Sequence, residues 1–329
     1  MLWDVLVNPQ VIAIGEILVD FVSTKLGSHV EAAAFEKCFG GAPMNTLVGV
    51  SRLGVSAGAI AAVGDDPFGA YLIGELKRNR VDVSQVKVKK HRRTTIAFVT
   101  NKPISAERTF LFYRKPWTGE TADTALEPDD IDPSYIAKAN ILHVSGFALS
   151  QNPCRQAIFK AIDCARKNGV KVSFDPTLRV GVWDSVATLR KKYSRALKLS
   201  DIAGFSEEEA EFLFGTREPE EVARRAMKHG IGIVGIKLGE KGSWVIGKDG
   251  KRVQASAFKV KAVDTTGAGD GWNAGLLVGL AKHWDLEKCA TVANAIGALV
   301  VTKRGAITAL PCKEELTAFL KRNDTDIEI

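Results

Sequence analysis

From Val11 onward, short β-branched runs alternate with stretches whose apolar residues recur at helical spacing. This alternation is the strongest constraint on the fold, because strand–helix–strand units of this kind stack side by side in a mainly parallel sheet. The strand runs are Val11–Ile14, Ala59–Val63, Ile141–Val144, Val170–Phe174, Ile202–Phe205 and Ile231–Leu238, and an antiparallel pair is expected at Ser243–Gly247 and Arg252–Ala255 around Lys248-Asp-Gly-Lys251. Helices are expected near Met44–Leu53, Pro153–Lys167, Ser185–Lys198, Glu207–Phe214, Pro219–His229, Ala268–Ala281, Leu286–Val301 and Lys313–Lys321. Asp66 before Pro67 reads as an N-cap with proline in the first turn of a helix to about Asn79, and Asn168-Gly169 is a good stop for the helix before it.

Two stretches, about 19–39 and 91–114, carry β-type residues without helices between them. They are inserted between α/β units rather than appended, so they read as a lid of non-contiguous segments on a single domain spanning 1–329. The chain has 329 residues, 46% hydrophobic and 25% charged, which is an ordinary soluble globular profile. The net charge of +7 is spread along the sequence, with short basic runs only at Lys87–Arg93 and Arg190–Lys192, and no nucleic-acid partner is expected from it. The first residues lack a basic region and a cleavage site, and no apolar stretch approaches the roughly 20 residues that span a bilayer, so no membrane partner is expected. Five cysteines without a CxxC fit reduced thiols in a cytoplasm, and the five histidines show no metal-ligand spacing.

The sharpest constellation is Asp264-Thr-Thr-Gly-Ala-Gly-Asp270, between a β-type segment (Phe258–Val263) and an amphipathic run. Glycine in the first turn of a helix costs up to about 1 kcal/mol against alanine. Two of them, Gly267 and Gly269, imply that something approaches the backbone. The amides of Gly267, Ala268 and Gly269 at a helix N-terminus form an anion hole in which phosphoryl charge can develop. The short carboxylate of Asp270 stands where a base would take a proton from an attacking hydroxyl, although an aspartate there also stabilises a helix N-terminus. A second glycine turn, Gly40-Gly41-Ala42-Pro43-Met44-Asn45, also feeds a helix, with Asn45 able to donate and accept or merely to cap. Asp20 follows the first strand and emerges near the carboxyl edge of the sheet, where open α/β folds bind ligands; its carboxylate suits vicinal hydroxyls. Gly230-Ile-Gly232-Ile-Val-Gly235 spells GxGxxG but follows a helix and lies in a strand pattern, which excludes a dinucleotide fingerprint, and no P-loop motif occurs.

With these motifs nearly the whole chain resembles the ribokinase-like (PfkB) family of carbohydrate kinases. Asp264–Asp270 is similar to one family signature. Gly40–Asn45 through Leu53-Gly54 and Val63-Gly-Asp-Asp-Pro-Phe-Gly69 are similar to the other. The resemblance implies a three-layer α/β/α fold with a mainly parallel central sheet and a small β-sheet lid, ATP as donor, and Mg²⁺. It implies Asp270 as base, Gly267, Ala268 and Gly269 as anion hole, and Asp20, Gly40, Gly41 and Asn45 as sugar contacts. Lys237 and the turn holding Gly239 and Gly242 match the family's segment beside the nucleotide, and Asn294 and Gly305 sit where adenine is walled. A K⁺ site is implied through carbonyls around Asp264, Thr266, Val300, Lys303 and Gly305. Ser206 stands where the family has asparagine in a motif tied to Mg²⁺ and phosphate. Glu209 of that motif is kept, and the two also spell a capping box. Trp272, in place of the family's phenylalanine, is expected to pack in the core.

Phe112-Tyr113-Arg114 and Asp175-Pro-Thr-Leu-Arg179 resemble the fructokinase and 2-keto-3-deoxygluconate kinase branches. Tyr113, Arg114 and Arg179 are then expected at the substrate or the donor phosphates, with a salt bridge as the other reading of each arginine. The implied activity is an ATP-dependent sugar kinase, first a fructokinase acting on the 6-hydroxyl. 2-Keto-3-deoxygluconate kinase is its nearest rival, and a catalytically silent sugar-binding regulator is the rival from another class. A homodimer through the lid edge is also expected.

Overall fold

A computed structural model describes residues 8–101 and 108–329. The first part of the chain forms β1 (Val11–Ile14), β2 (Leu18–Ser23), β3 (Phe35–Gly40), α1 (Ala42–Arg52), β4 (Ala57–Gly64), α2 (Pro67–Arg78), β5 (Asp82–Lys89), β6 (Ile96–Asn101) and β7 (Arg108–Tyr113). The middle forms α3 (Pro133–Ile136), β8 (Ile141–Ser145), α4 (Cys154–Lys167), β9 (Lys171–Asp175), α5 (Val186–Lys198), β10 (Ile202–Ser206), α6 (Glu207–Phe214) and α7 (Pro219–Met227). The last part forms β11 (Ile233–Lys237), β12 (Ser243–Gly247), β13 (Arg252–Ala255), α8 (Ala268–Ala281), α9 (Leu286–Val300) and α10 (Lys313–Arg322).

Nine strands form the large sheet in the order β13-β12-β11-β10-β9-β8-β1-β4-β5. All neighbours from β11 to β5 are parallel, and β12 and β13 complete one edge as antiparallel strands. Period-two alternation divides each strand between two cores: in β1, Ile12 and Ile14 face one side while Val11 and Ala13 face the other. Helices α4–α7 cover the first face, and α1, α2 and α8–α10 cover the second, giving three layers. A second sheet, β3-β2-β6-β7, is built from the two inserted stretches, with β2 and β6 parallel and the outer pairs antiparallel. Residues 102–107, within the second stretch, lie outside the described residues.

Three sequence expectations need correction. Phe258–Val263 forms no strand. Strand β5 was not foreseen because its alternation runs into the basic cluster that follows it. Helix α8 is not amphipathic: Gly271 to Gly279 are all buried, because α8 is sandwiched between the sheet, α1 and α9. Its small residues permit that approach. A Cβ on Gly275 would stand 2.6 Å from Ala293 Cα in α9, and one on Gly49 of α1 would stand 2.7 Å from Ala274 Cβ. Gly275→Val is therefore expected to destabilise the fold by about 3 kcal/mol, the scale of an overpacked core. A calorimetric midpoint lowered by several degrees would register it.

Candidate active site

The carboxyl ends of adjacent parallel strands meet at one cleft of about 910 Å³. Asp175, Ser206 and Lys237 are the last residues of β9, β10 and β11, and Glu16 lies two residues beyond β1. Strand order reverses beside β1, so this edge is the crevice where open α/β sheets bind ligands. The smaller sheet forms the facing wall. Phe110 and Phe112 of β7 line the cleft, while the alternate residues Leu111 and Tyr113 point outward and are nearly half exposed.

The floor of the cleft is the N-terminus of α8. Gly267 is its N-cap, at φ 79°, and a Cβ there would lie 2.7 Å from Ala306 Cα, so the tight turn requires glycine. At Gly269 the nearest atom to an added Cβ would be Lys237 Nζ, at 3.5 Å. The first amides of the helix therefore open onto a space with an ammonium beside it. Asp270 follows, and its Oδ2 accepts from Asn45 Nδ2 at 2.8 Å. Burial pushes the Asp270 carboxyl up to about 6, against the Asn45 bond that favours its charge. Asn45 Oδ1 is buried without a partner. Gly41 caps α1 at φ 112°, where a side chain would strike the Glu16 carbonyl. A Cβ on Gly40 would collide with the Asp20 carboxylate, so that glycine gives Asp20 its room. Asp20 itself is buried, and burial pushes it up to about 7 despite Arg108 nearby.

Deeper along the cleft, Lys237 Nζ pairs with Asp175 Oδ2 at 2.7 Å. Burial opposes charge on both, yet their mutual attraction prevails: Asp175 is held below the usual carboxylate range and Lys237 above the usual amine range. Ser206 and Glu209 form the capping box at the start of α6, with Glu209 N donating to Ser206 Oγ at 3.2 Å and Ser206 N donating to Glu209 Oε2 at 2.8 Å. Glu209 Oε1 accepts from Leu178 N at 3.0 Å, so both of its oxygens hold backbone. Asn294 is equally committed: Oδ1 accepts from Ser243 Oγ and Trp272 Nε1, and Nδ2 donates to the carbonyls of Ala255 and Ser256. It presents a wall to the cleft and has no hydrogen bond left to offer. Asp264 binds Thr266 N and Oγ1 through Oδ1 and Gly305 N through Oδ2, which ties the turn before α8 to the 303–305 loop.

Residues 8–313 match the sequence profile of the pfkB family carbohydrate kinases. The chain belongs to the pfkB family. Over 320 residues it is 37% identical to the fructokinase of Solanum tuberosum, covering 94% of this chain and 95% of that protein. The Vibrio cholerae fructokinase solved with fructose, ADP and calcium superposes with a TM-score of 0.84 at 35% identity, over 95% of this chain and 99% of that one. An Escherichia coli homologue solved with ATP and Mg²⁺ gives a TM-score of 0.87 at 29% identity, over 95% and 99%. Aminoimidazole riboside kinase from Salmonella enterica, with its riboside and an ATP analogue, gives 0.82 at 30% identity, over 94% and 99%.

As a pfkB family member the chain thus gathers Asp20, Gly41, Asn45, Arg179, Ser206, Glu209, Lys237, Gly239, Gly242, Thr266, the 267–269 turn, Asp270 and Asn294 around one cleft. Gly40 stands behind Asp20; Val300, Lys303 and Gly305 do not line the cleft, and Gly305 enters only through its bond to Asp264. Tyr113 is not brought to it but packs edge-on against Phe98 on the outer face of the smaller sheet. Neither is Arg114, which is fully buried, ion-paired with Asp123 at 3.2 Å, bonded to Ser150 Oγ and stacked 4.4 Å from the Phe147 centroid. Its salt-bridge reading is the one the structure bears out. Trp272 is buried as expected, though one edge also lines the cleft. A second cleft of about 780 Å³ lies at the opposite, amino edge of the sheet and holds none of the predicted site residues.

Sequence reasoning missed Glu16, Arg108, Asp175 and Asn273. Glu16 Oε1 accepts from Ser145 Oγ at 3.0 Å and Ala42 N at 3.3 Å, its Oε2 is buried without a partner, and burial pushes the carboxyl up to about 8. The strand-end position of Glu16 beside Asp20 was the available signal. The folded protein holds a proton on Glu16 that the unfolded chain releases above its ordinary value of 4.5. This contribution to stability is complete below that value and disappears as pH rises through about 8. Glu16→Gln is expected to flatten the decline of the thermal midpoint between pH 5 and about 8, measured by scanning calorimetry.

Proposed function

We propose that the chain is an ATP-dependent fructokinase that transfers the γ-phosphoryl group to the 6-hydroxyl of fructose, with the smaller sheet as the lid of a single kinase domain. The observation that carries this reading is the Asp270 carboxylate at the lip of a side-chain-free helix N-terminus with the Lys237 ammonium beside it. Asp270 accepts the hydroxyl proton as the oxygen attacks. The amides of Gly267, Ala268 and Gly269, with Lys237, hold the charge of the moving phosphoryl group, since phosphoryl transfer is mostly positioning and electrostatics. Asp20 accepts from vicinal hydroxyls, and Asn45 uses its unpartnered Oδ1 on the sugar while Nδ2 orients Asp270. Phe110 and Phe112 close over the sugar and exclude water. Arg179 lies 4.6 Å from the Phe110 ring centroid, where it can reach donor phosphates or the acceptor.

Magnesium fits the site as an ion carried on the nucleotide phosphates. Among the described residues no cluster of three acidic or thiol or imidazole groups could cage a metal, and both Glu209 oxygens already hold backbone amides. Such an ion neutralises phosphate charge when bound, and Glu209 would meet it through water. A K⁺ ion beside the 264–266 and 303–305 segments would find them already drawn together by Asp264. Pairing of Arg114 with Asp123 outside the cleft removes one of the two arginines expected to meet a substrate carboxylate, which leans toward fructose over 2-keto-3-deoxygluconate although Arg179 stays in the cleft. The relatives named fructokinase support the same choice.

Among the described residues no helix is long and apolar enough to cross a membrane, and all five cysteines are free, in keeping with a cytoplasmic site of action. The outward Leu111 and Tyr113 of β7 support pairing of two protomers through the smaller sheet; light scattering reads a dimer if so and a monomer if not. Coupled assays with fructose, 2-keto-3-deoxygluconate and ribose should give the highest kcat/KM for fructose. No ADP release with any sugar would leave a silent sugar-binding protein instead. Asp270→Ala is expected to lose about 10³-fold or more in kcat while still binding sugar by calorimetry. In the wild type, kcat/KM should fall at least about tenfold per pH unit below about 6, as Asp270 of the free enzyme gains its proton.

A further inference from the structure

Asp175 is the last residue of β9 and lines the cleft as a buried side chain. Its Oδ2 accepts from Lys237 Nζ at 2.7 Å and from Asn273 Nδ2 at 2.6 Å. Its Oδ1 accepts from Thr177 N at 2.8 Å and Thr177 Oγ1 at 2.9 Å. Four donors fill the four lone-pair sites of one carboxylate, so Asp175 has none left for a substrate or an ion. Asn273 lies one turn after Asp270 on α8, and Lys237 ends β11. One buried group therefore joins the helix that carries the proposed base to the strand that carries the proposed phosphate cation. Thr177 adopts φ 42°, a left-handed conformation costly for a branched residue, and the two bonds to Asp175 hold it there. Two residues on, Arg179 enters the cleft.

A lysine ammonium sits on a flexible four-carbon stem, and when buried it sheds its proton unless a charge holds it. Lys237 spends one N–H on Asp175 and keeps two. Its nitrogen stands 3.5 Å from where a Cβ on Gly269 would be, beside the first amides of α8. We propose that Asp175 is a positioning residue for phosphoryl transfer, fixing the Lys237 ammonium beside the α8 amides and shaping the 175–179 turn that delivers Arg179. The inference rests on the kinase reading of the site and adds to it a residue that touches neither substrate.

The test compares Asp175→Asn, Lys237→Met and the double variant in the full chain. D175N keeps the shape and loses the charge. Its kcat is expected to fall about 10- to 100-fold, the scale of removing a partner that orients a reactive group, with sugar KM within about threefold. In the K237M background the same change should cost less than about threefold, because the two residues act as a unit. A loss in that background as large as in the wild type, or an unchanged kcat in D175N, would overturn the proposal. Acetic anhydride labelling followed by mass spectrometry supplies a readout independent of turnover. Lys237 should label about tenfold faster at pH 8 in D175N, because its amine is freer of protons, and a non-hydrolysable ATP analogue with Mg²⁺ should slow labelling in the wild type. Equal labelling rates in wild type and D175N would sink the idea. If the wild type phosphorylates no sugar, the kinase reading fails while the labelling rates still decide whether Asp175 holds Lys237. Should D175N not fold, Asn273→Ala loosens the same carboxylate more gently. Labelling about threefold faster with kcat about threefold lower supports the proposal, and no change in either overturns it.

Discussion

The backbone amides that open α8 must stay uncovered by side chains while Asp270 stands beside them, and much of the molecule is arranged around that requirement. Gly267 turns at positive φ against Ala306, Gly269 faces Lys237, and Gly271 leaves no room for a side chain beside Val300 and Ile296. Within the helix, Gly269 and Gly271 each weaken it on their own, by up to about 1 kcal/mol against alanine. Packing offsets that loss. From Gly271 to Gly279 the helix is buried among the sheet, α1 and α9, and its backbone approaches α9 at Gly275 more closely than any side chain would permit. A helix that propensity alone would fray is held rigid by its neighbours, with its amides left facing the cleft.

The same rigidity lets the cleft keep charges that water would otherwise have to stabilise. Glu16, Asp20 and Asp270 all lie on the acceptor side, and burial raises each of them towards neutrality. Asp175 and Lys237 lie a few residues' reach away and are driven the other way, each favouring the charged form of its partner. The cleft is thus divided into carboxyls that exchange protons near neutral pH and an ion pair that does not. In the proposed kinase, proton acceptance falls to the first group and electrostatic support to the second.

Most of the larger sheet was legible from sequence because its strands are short β-branched runs buried on both faces, and its helices carry caps such as Asp66 with Pro67 and the Ser206–Glu209 box. The glycine turns at 40–41 and 267–269 were legible for a different reason: glycine where a helix begins conflicts with local propensity unless a ligand or a close contact needs it. What escaped notice depends on three-dimensional register. Nothing local in the sequence says that Asp175, Ser206 and Lys237 end neighbouring strands, or that Asp175 meets Asn273 across 98 positions. Arg114 misled because a motif places it near a substrate, whereas Asp123, nine residues on, and the more distant Phe147 and Ser150 bury it. Tyr113 misled by one residue: in a strand, the neighbour of an inward Phe112 faces outward.

That single-residue alternation also joins the smaller sheet to the chemistry below it. Phe110 and Phe112 are two apart on β7 and stack on each other 5.6 Å between centroids, and together they give the cleft an apolar wall. Phe112 continues onto Phe147, behind which Arg114 is locked to Asp123, while Phe110 receives the guanidinium of Arg179. Arg179 in turn ends the 175–179 segment whose first residue is the carboxylate that pairs with Lys237. A continuous set of contacts therefore runs from the facing wall, through Phe110 and Arg179, to Asp175 and the start of α8. Movement of the smaller sheet over a bound sugar would press on Arg179 through the aromatic face, and the turn that carries Arg179 is fixed at its other end by Asp175. If the smaller sheet closes as proposed, its movement and the placement of Arg179 would be linked through these packed side chains.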